Sequence, residues 1–518
     1  MQVQRLALPM LAGLVLAASA LSGAVQAQGA AEPVRPTSQW QAWQWQTSTP
    51  EEQGMDSAAL ARLVNDGTAH SLDSLLIARH GRIVLDAYYA PYTPEIPHLF
   101  NSVTKAVTGT LVAMLLRDGV LDSLDHRMVD FFGDRTIANL DDRKRAITVQ
   151  SMLDMTSGMA WTEGVEGARP DSLIEWGRNP DAIQFILDRP MAKAPGEAFY
   201  YNTGNAQLLA AIINKLTGMS ARDYAVTKLF RPLGIAAPYW HSIGPGLTQG
   251  GGGLQLAPRD AARIGLLYLH DGEWDGQRLL PTGWVDRIRH AATEMHASSD
   301  PSLRYANFFW VMPQRQVVMA VGDRCQLVML FPALDIVTVV TARDYCSFGK
   351  MADEISGAVK SDTALPVNSV GGNQLASALR DIATEKLSTV GAVPETAAAI
   401  SGKTWRFPAN GFNLRALTLH LTDQPAHYEL ETATPVTTLA GPIGLDGAYR
   451  LGQPTALGVM ALRGTWQDNQ TFAIDLRLVG GDTDRRWLLS FDGGKARLSG
   501  KDRFGGVVQV DADAPGAR

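Results

Sequence analysis

The chain has 518 residues, 46% of them hydrophobic and 19% charged, with a formal charge of −6. That length exceeds one compact core and points to two or three domains of ordinary globular composition. Acidic and basic residues are mixed throughout, with no Lys/Arg-rich run or basic aromatic stripe, which argues against a nucleic-acid partner.

Residues 1–27 read as a signal peptide: Arg5 supplies the positive start, Leu6 to Val25 is apolar and small, and Val25-Gln26-Ala27 suits cleavage before Gln28. Export follows from that reading, to the periplasm or beyond, with no membrane span once the signal is removed. A Pro/Gln/Trp-rich arm, 28–50, comes next. Ser74 to Asp86 is two apolar runs around Gly81, a β-hairpin, and Gln316 to Thr341 repeats the pattern around Pro332-Ala333-Leu334-Asp335. A helix-rich stretch lies between them. Strands from both ends flanking a helical middle predict an α/β (α+β) domain over 51–358 whose sheet closes late in the chain. Residues 359–395 read as a linker with one helix, Gln374 to Leu387. From 396 to 518 the text alternates, as in Leu417/Leu419/Leu421 and Phe472/Ile474/Leu476/Leu478, and predicts a small all-β barrel or sandwich.

Ser102-Val103-Thr104-Lys105 opens a helix through Leu116 that stops at Asp118-Gly119. Ser102 at the helix N-terminus meets backbone donors, and Lys105 stands one turn on, on the same face. Burial lowers a lysine's pKa and lets it take the serine proton. The string alone is weak, because Ser347-Phe348-Gly349-Lys350 repeats it, and Ser102 reads equally as an N-cap beside a solvated lysine.

In context, Ser102-Val103-Thr104-Lys105 resembles the first motif of the serine β-lactamases, penicillin-binding proteins and their esterase and amidase relatives. Ile147 to Met159, Pro195-Gly196-Glu197-Ala198-Phe199-Tyr200-Tyr201-Asn202 and Gly250 to Gly265 are similar, in that order, to later segments of the class C-like branch that includes esterases and 6-aminohexanoate-dimer hydrolases. The resemblance implies a β-lactamase-like domain, an antiparallel sheet beside a helical subdomain. It assigns Tyr200 as the phenol that exchanges protons with Lys105, and Asn202 to orient Lys105 and hold a substrate carbonyl. A second Tyr-x-Asn stands at Tyr305-Ala306-Asn307.

The family's third motif falls on Gly322-Asp323-Arg324-Cys325-Gln326, where Asp323 replaces the usual cation and Cys325 the usual Gly. This places a backbone oxyanion donor near Gln326. Asp323 disfavours substrates with a carboxylate and favours neutral or amine-bearing amides and esters. Cys325 and Cys346, the only cysteines, form one bridge or stay two thiols; both remain open. Ile400 to Trp405, Leu445 to Tyr449 and Gly464 to Trp466 resemble a lipocalin-like barrel appended to some of these hydrolases.

No Gly-x-Ser-x-Gly elbow or His-Glu-x-x-His helix occurs, and the ten histidines show no metal-ligand spacing, so no metal or other cofactor is expected. The expected function is an exported serine hydrolase acting on small amides, esters or peptides. The rival is a penicillin-recognising sensor that acylates without turnover, or an inactive relative. No pattern specifies an oligomer.

Overall fold

The computed structural model describes residues 44–164, 171–295, 300–433, 436–455, 458–481, 484–492, 494–501 and 506–512. The expected signal peptide lies outside the described residues. Two compact units result. One comprises the chain up to Ala87 together with Leu99–Leu379, and the other Tyr88–His98 with the chain from Arg380 onward.

The first unit is built on a nine-stranded sheet. Its strands are β1 (Gln46–Thr47), β2 (Leu72–Arg79), β3 (Arg82–Tyr88), β4 (Thr293–Glu294), β5 (Arg304–Ala306), β6 (Phe309–Met312), β7 (Val317–Gly322), β8 (Gln326–Phe331) and β9 (Ile336–Ala342), in the order β1-β3-β2-β9-β8-β7-β6-β5-β4. The turn between β2 and β3 is His80-Gly81, both at positive φ, as a two-residue hairpin with right-handed strand twist requires. β9 returns antiparallel to β2, Ile336 opposite Arg79 and Val340 opposite Leu75. The sheet therefore does close late in sequence, as the pattern of strands predicts.

Every residue of β2, β7, β8 and β9 is buried, so these strands are covered on both faces and read as continuous apolar runs. Helix α1 spans Ser57–Ala69, α2 Val103–Arg117, α3 Thr203–Thr217, α4 Pro258–Leu269 and α5 Phe348–Ala358. Helix α4 lies on the sheet so closely that a Cβ on Gly265 would come within 2.4 Å of Val337. Residues Val103 to Leu115 of α2 are all buried, which makes it the central helix of the unit. Residues 359–365, expected to begin the linker, are fastened to this unit: the buried Arg79 guanidinium donates to the carbonyls of Gln53, Leu334 and Ser361 and reaches Asp362.

The second unit is all-β apart from short helical pieces. Strands β10 (Thr404–Arg406), β11 (Leu414–His420), β12 (His427–Thr432) and β13 (Thr438–Pro442) form one antiparallel sheet; β14 (Arg450–Thr455), β15 (Gly458–Trp466), β16 (Thr471–Val479), β17 (Asp484–Asp492), β18 (Lys495–Lys501) and β19 (Val507–Ala512) form another. One apolar core joins residues of both sheets, including Trp405, Leu417, Leu419, Trp466, Phe472 and Leu489. The alternation in β11 and β16 thus marks inward positions. Residues 88–98, placed with the hydrolase domain by the sequence reading, belong instead to this unit: Tyr92 packs on Val459, Ala461 and Val479. Nothing in the sequence of that short segment distinguishes it from its neighbours.

Candidate active site

Helix α2 begins at Val103, and Ser102 is its N-cap residue in position only: its backbone is already helical (φ −74°, ψ −6°) and its side chain makes no capping bond. Asn101, just before it, sits at φ +46°, and its amide donates to the Asp323 carbonyl (3.2 Å), which fixes the entry to the helix. The Ser102 Oγ accepts a hydrogen bond from Lys105 Nζ at 2.8 Å. Ser347 behaves in the opposite way. It is extended and its hydroxyl accepts from the Lys350 backbone N–H, while Lys350 pairs in solvent with Asp66 and Glu354. Of the two Ser-x-x-Lys strings, one is a helix cap and the other joins a serine hydroxyl to a buried lysine amine.

Lys105 is 1% exposed, and its Nζ also donates to the Gly251 carbonyl at 3.0 Å. Burial pushes its amine down to about 8, with the Glu163 carboxylate pulling weakly the other way. The Gly250–Gly253 turn is the wall behind this amine. A Cβ on Gly251 would stand 2.6 Å from Thr203 and 3.4 Å from Lys105 Nζ, so only glycine lets the backbone approach.

The phenol that reaches the pair is Tyr201. Its hydroxyl is close enough to the Ser102 side chain to be influenced by it, and Lys105 Nζ lies 4.8 Å from its ring centroid. Tyr200 is half-buried, and its backbone N–H is fastened to the Met155 carbonyl at 2.8 Å. The chain runs extended into Asn202, so successive side chains diverge and only one of two adjacent tyrosines can face Ser102. The structure therefore shifts the phenol by one residue from the position the Tyr-x-Asn count assigned. Burial pushes the Tyr201 hydroxyl above the usual phenol range, and Glu163 adds to this while the Ser102 side chain opposes it. Burial thus moves the lysine amine down and the phenol up, disfavouring the charged form of each.

Asn202 is the N-cap of α3: its Oδ1 accepts from Gly204 N–H (2.8 Å), and Lys105 is held by Ser102 and Gly251 instead. Its buried Nδ2 has no hydrogen-bond partner among the described residues. Glu163, which sequence reasoning missed, is 8% exposed and accepts from Trp161 Nε1 (2.8 Å), Thr203 N (2.6 Å) and Thr203 Oγ1. In Trp161-Thr162-Glu163-Gly164-Val165-Glu166 nothing in the sequence sets Glu163 apart from Glu166. Tyr305 and Asn307 of the second Tyr-x-Asn are also buried: Tyr305 packs against Phe199 and lies near enough to Tyr201 and Glu163 to interact with both, while Asn307 accepts from Gln150 and donates its backbone N–H to Asp154.

The opposite wall is the β7–β8 turn. A Cβ on Gly322 would be 2.4 Å from the Phe100 carbonyl and 3.2 Å from Ser102 N, so this strand end lies directly against Ser102. Gln326 faces away. Its amide braces the sheet by donating to the Ala342 and Arg324 carbonyls (2.6 and 3.0 Å). Arg324 and Cys325 both sit at positive φ, and a disulfide joins Cys325 to Cys346, resolving the open alternative. The Asp323 carboxylate, partly exposed, accepts from Tyr345 Oη at 3.2 Å.

An antiparallel sheet beside helices, with serine, lysine and tyrosine side chains converging where a central helix begins, defines the β-lactamase-like class. The chain belongs to the beta-lactamase family, which it matches over residues 51–407. This is a β-lactamase-fold family whose members include hydrolases. The chain is similar to 6-aminohexanoate-dimer hydrolase of Paenarthrobacter ureafaciens, 26% identical over 285 residues that cover 52% of this chain and 71% of that one. It is also similar to penicillin-binding protein 4 of Amycolatopsis lactamdurans, 30% identical over 189 residues, 36% of this chain and 44% of that one. Among solved structures, EstCE1, a hydrolase with promiscuous acyltransferase activity, aligns with a TM-score of 0.48 and 17% identity over 59% of this chain and 99% of that chain. No helix among the described residues is long and apolar enough to cross a membrane.

Proposed function

We propose that the chain is an exported serine hydrolase that cleaves small amides or esters through an acyl-enzyme on Ser102. The observation that carries this reading is the Ser102 hydroxyl, released from helix capping and held 2.8 Å from a buried lysine amine. Lys105 takes the Ser102 proton as Oγ attacks the substrate carbonyl. The Ser102 N–H and a backbone donor of the 322–326 turn hold the oxyanion. Tyr201, protonated, relays the proton to the leaving amine or alcohol, and water then releases the acid by the reverse path.

A p-nitrophenyl ester tests this with the full chain. A burst of about one equivalent followed by steady turnover is expected, with the quenched acyl adduct on the Ser102 peptide by mass spectrometry. A burst that stops after one equivalent establishes the acylating sensor instead, and no burst or adduct establishes an inactive relative.

For substrate, Asp323 at the rim and Glu163 behind Lys105 put negative charge on both sides of the nucleophile. Neutral or amine-bearing amides fit that field better than carboxylates. Asp323→Lys should move the ratio of kcat/KM for amine-bearing over carboxylate-bearing esters about tenfold or more toward the carboxylate, the size of one partly screened charge contact. An unchanged ratio removes Asp323 from substrate selection.

A further inference from the structure

The strongest unassigned cluster lies in the second unit. His420, the last residue of β11, stands directly opposite His427, the first of β12, and Glu429 is two residues further along on the same face. Leu417, Leu419, Tyr428 and Leu430 point into the core, so this is the outer face of the sheet. The two imidazoles stack with centroids 4.1 Å apart and planes 6° from parallel. A donor atom from each of His420, His427 and Glu429 falls within 4.8 Å of the others, the one such group among the described residues.

The rings are ordered end for end. Their Nδ1 atoms face the Asp423 carboxylate, at 3.6 Å from His420 and 3.9 Å from His427, and His427 Nδ1 also contacts the Pro425 carbonyl at 3.3 Å. A carboxylate on Nδ1 favours the tautomer whose Nε2 carries the free lone pair, the usual support of a metal-binding histidine. His420 Nε2 is buried, has no hydrogen-bond partner, and lies 4.0 Å from Glu429 Oε1.

We propose that His420, His427 and Glu429 form a binding site for a divalent transition ion of the zinc type, with Asp423 as the carboxylate that orients both rings. Imidazole nitrogens and one carboxylate oxygen at bonds of about 2.0–2.2 Å are an ordinary zinc donor set, with a fourth position left to water. A small rotation of the partly exposed His427 ring brings its Nε2 toward the same point. The sequence conceals this site because its histidines are seven apart across a hairpin, a spacing no helical metal motif has.

The untagged full chain, stripped with a chelator, is titrated with zinc against a chromophoric indicator. One equivalent should bind at micromolar affinity or tighter and raise the melting temperature of the second unit. His420→Ala and His427→Ala should each weaken binding at least tenfold and abolish the zinc-dependent shift, while the metal-free melting transition of the second unit stays cooperative and reports an intact fold. Glu429→Gln, an exposed and nearly isosteric change, should weaken binding without any folding penalty. No binding at micromolar zinc by the wild type, or binding unchanged in Glu429→Gln and in the double histidine variant, overturns the site.

Discussion

Ser102→Ala and Lys105→Met should each lower kcat by at least about a thousandfold, and the double variant should lose little more than either alone. A nucleophile and its base act as one unit, so the first loss removes nearly all that the second could. Ser347→Ala is the internal control, since it removes the same residue type from the same string. There the hydroxyl only caps a helix, so about 1 kcal/mol of stability should go and activity should stay. The lysine variant also separates catalysis from structure. A folded-state amine near 8 against an unfolded value near 10.5 means that below pH 8 the buried cation costs the native state on the order of 3 kcal/mol. That cost disappears as pH rises through 8 to 10.5. Lys105→Met removes it at pH 7, while leaving the Gly251 carbonyl unpaired costs about 1–3 kcal/mol. The variant should therefore be inactive yet no less stable than the parent by thermal unfolding at pH 7.

The same amine sets the pH profile. The base must be unprotonated, so kcat/KM should rise about tenfold per unit on the acid side and level off above about 8. Glu163 raises the Lys105 pKa, so Glu163→Gln should displace that limb toward lower pH. A limb that stays in place in Glu163→Gln would show that Glu163 only holds Thr203 and Trp161. Glu163 touches no reacting atom and acts through Lys105 and Thr203, so it is a positioning residue.

Much of the first unit was legible because its signals are periodic. The β2–β3 hairpin shows in Gly81, the buried helix in the run after Lys105, and closure of the sheet in a second strand pattern near the other chain end. What sequence could not carry was direction. Ser102 and Ser347 have identical spacing to a lysine, and only the backbone geometry shows which hydroxyl caps a helix. Gly250–Gly253 reads as a turn, but that its carbonyl receives Lys105 depends on how α3 packs beside it. Glu163 lies forty residues from Thr203 and meets it only through folding. Gln326 is polar beside the site yet braces the sheet, because a side chain on a strand points to one face or the other and a register of one decides which. His420 and His427 likewise become neighbours only once β11 and β12 pair.

That one-residue register is the subject of the sharpest test. Tyr201→Phe should lower kcat about a hundredfold or more, whereas Tyr200→Phe should change it less than about threefold, since positioned proton transfer contributes roughly 10²–10⁴. Both substitutions keep the ring and remove one oxygen, so packing against Lys105 survives in the first and the backbone bond to Met155 in the second. The loss in Tyr201→Phe should fall mainly on kcat, because the phenol engages Ser102 and not the substrate's distal groups. It should also depend on the leaving group. A p-nitrophenolate departs without a proton, so the ester should suffer least and an alkyl amide most. If Tyr200→Phe proves the damaging change, the Tyr-x-Asn count is right and the Ser102–Tyr201 contact belongs to a resting arrangement. Equal losses in both would mean that the second phenol reaches the leaving group once a substrate is bound.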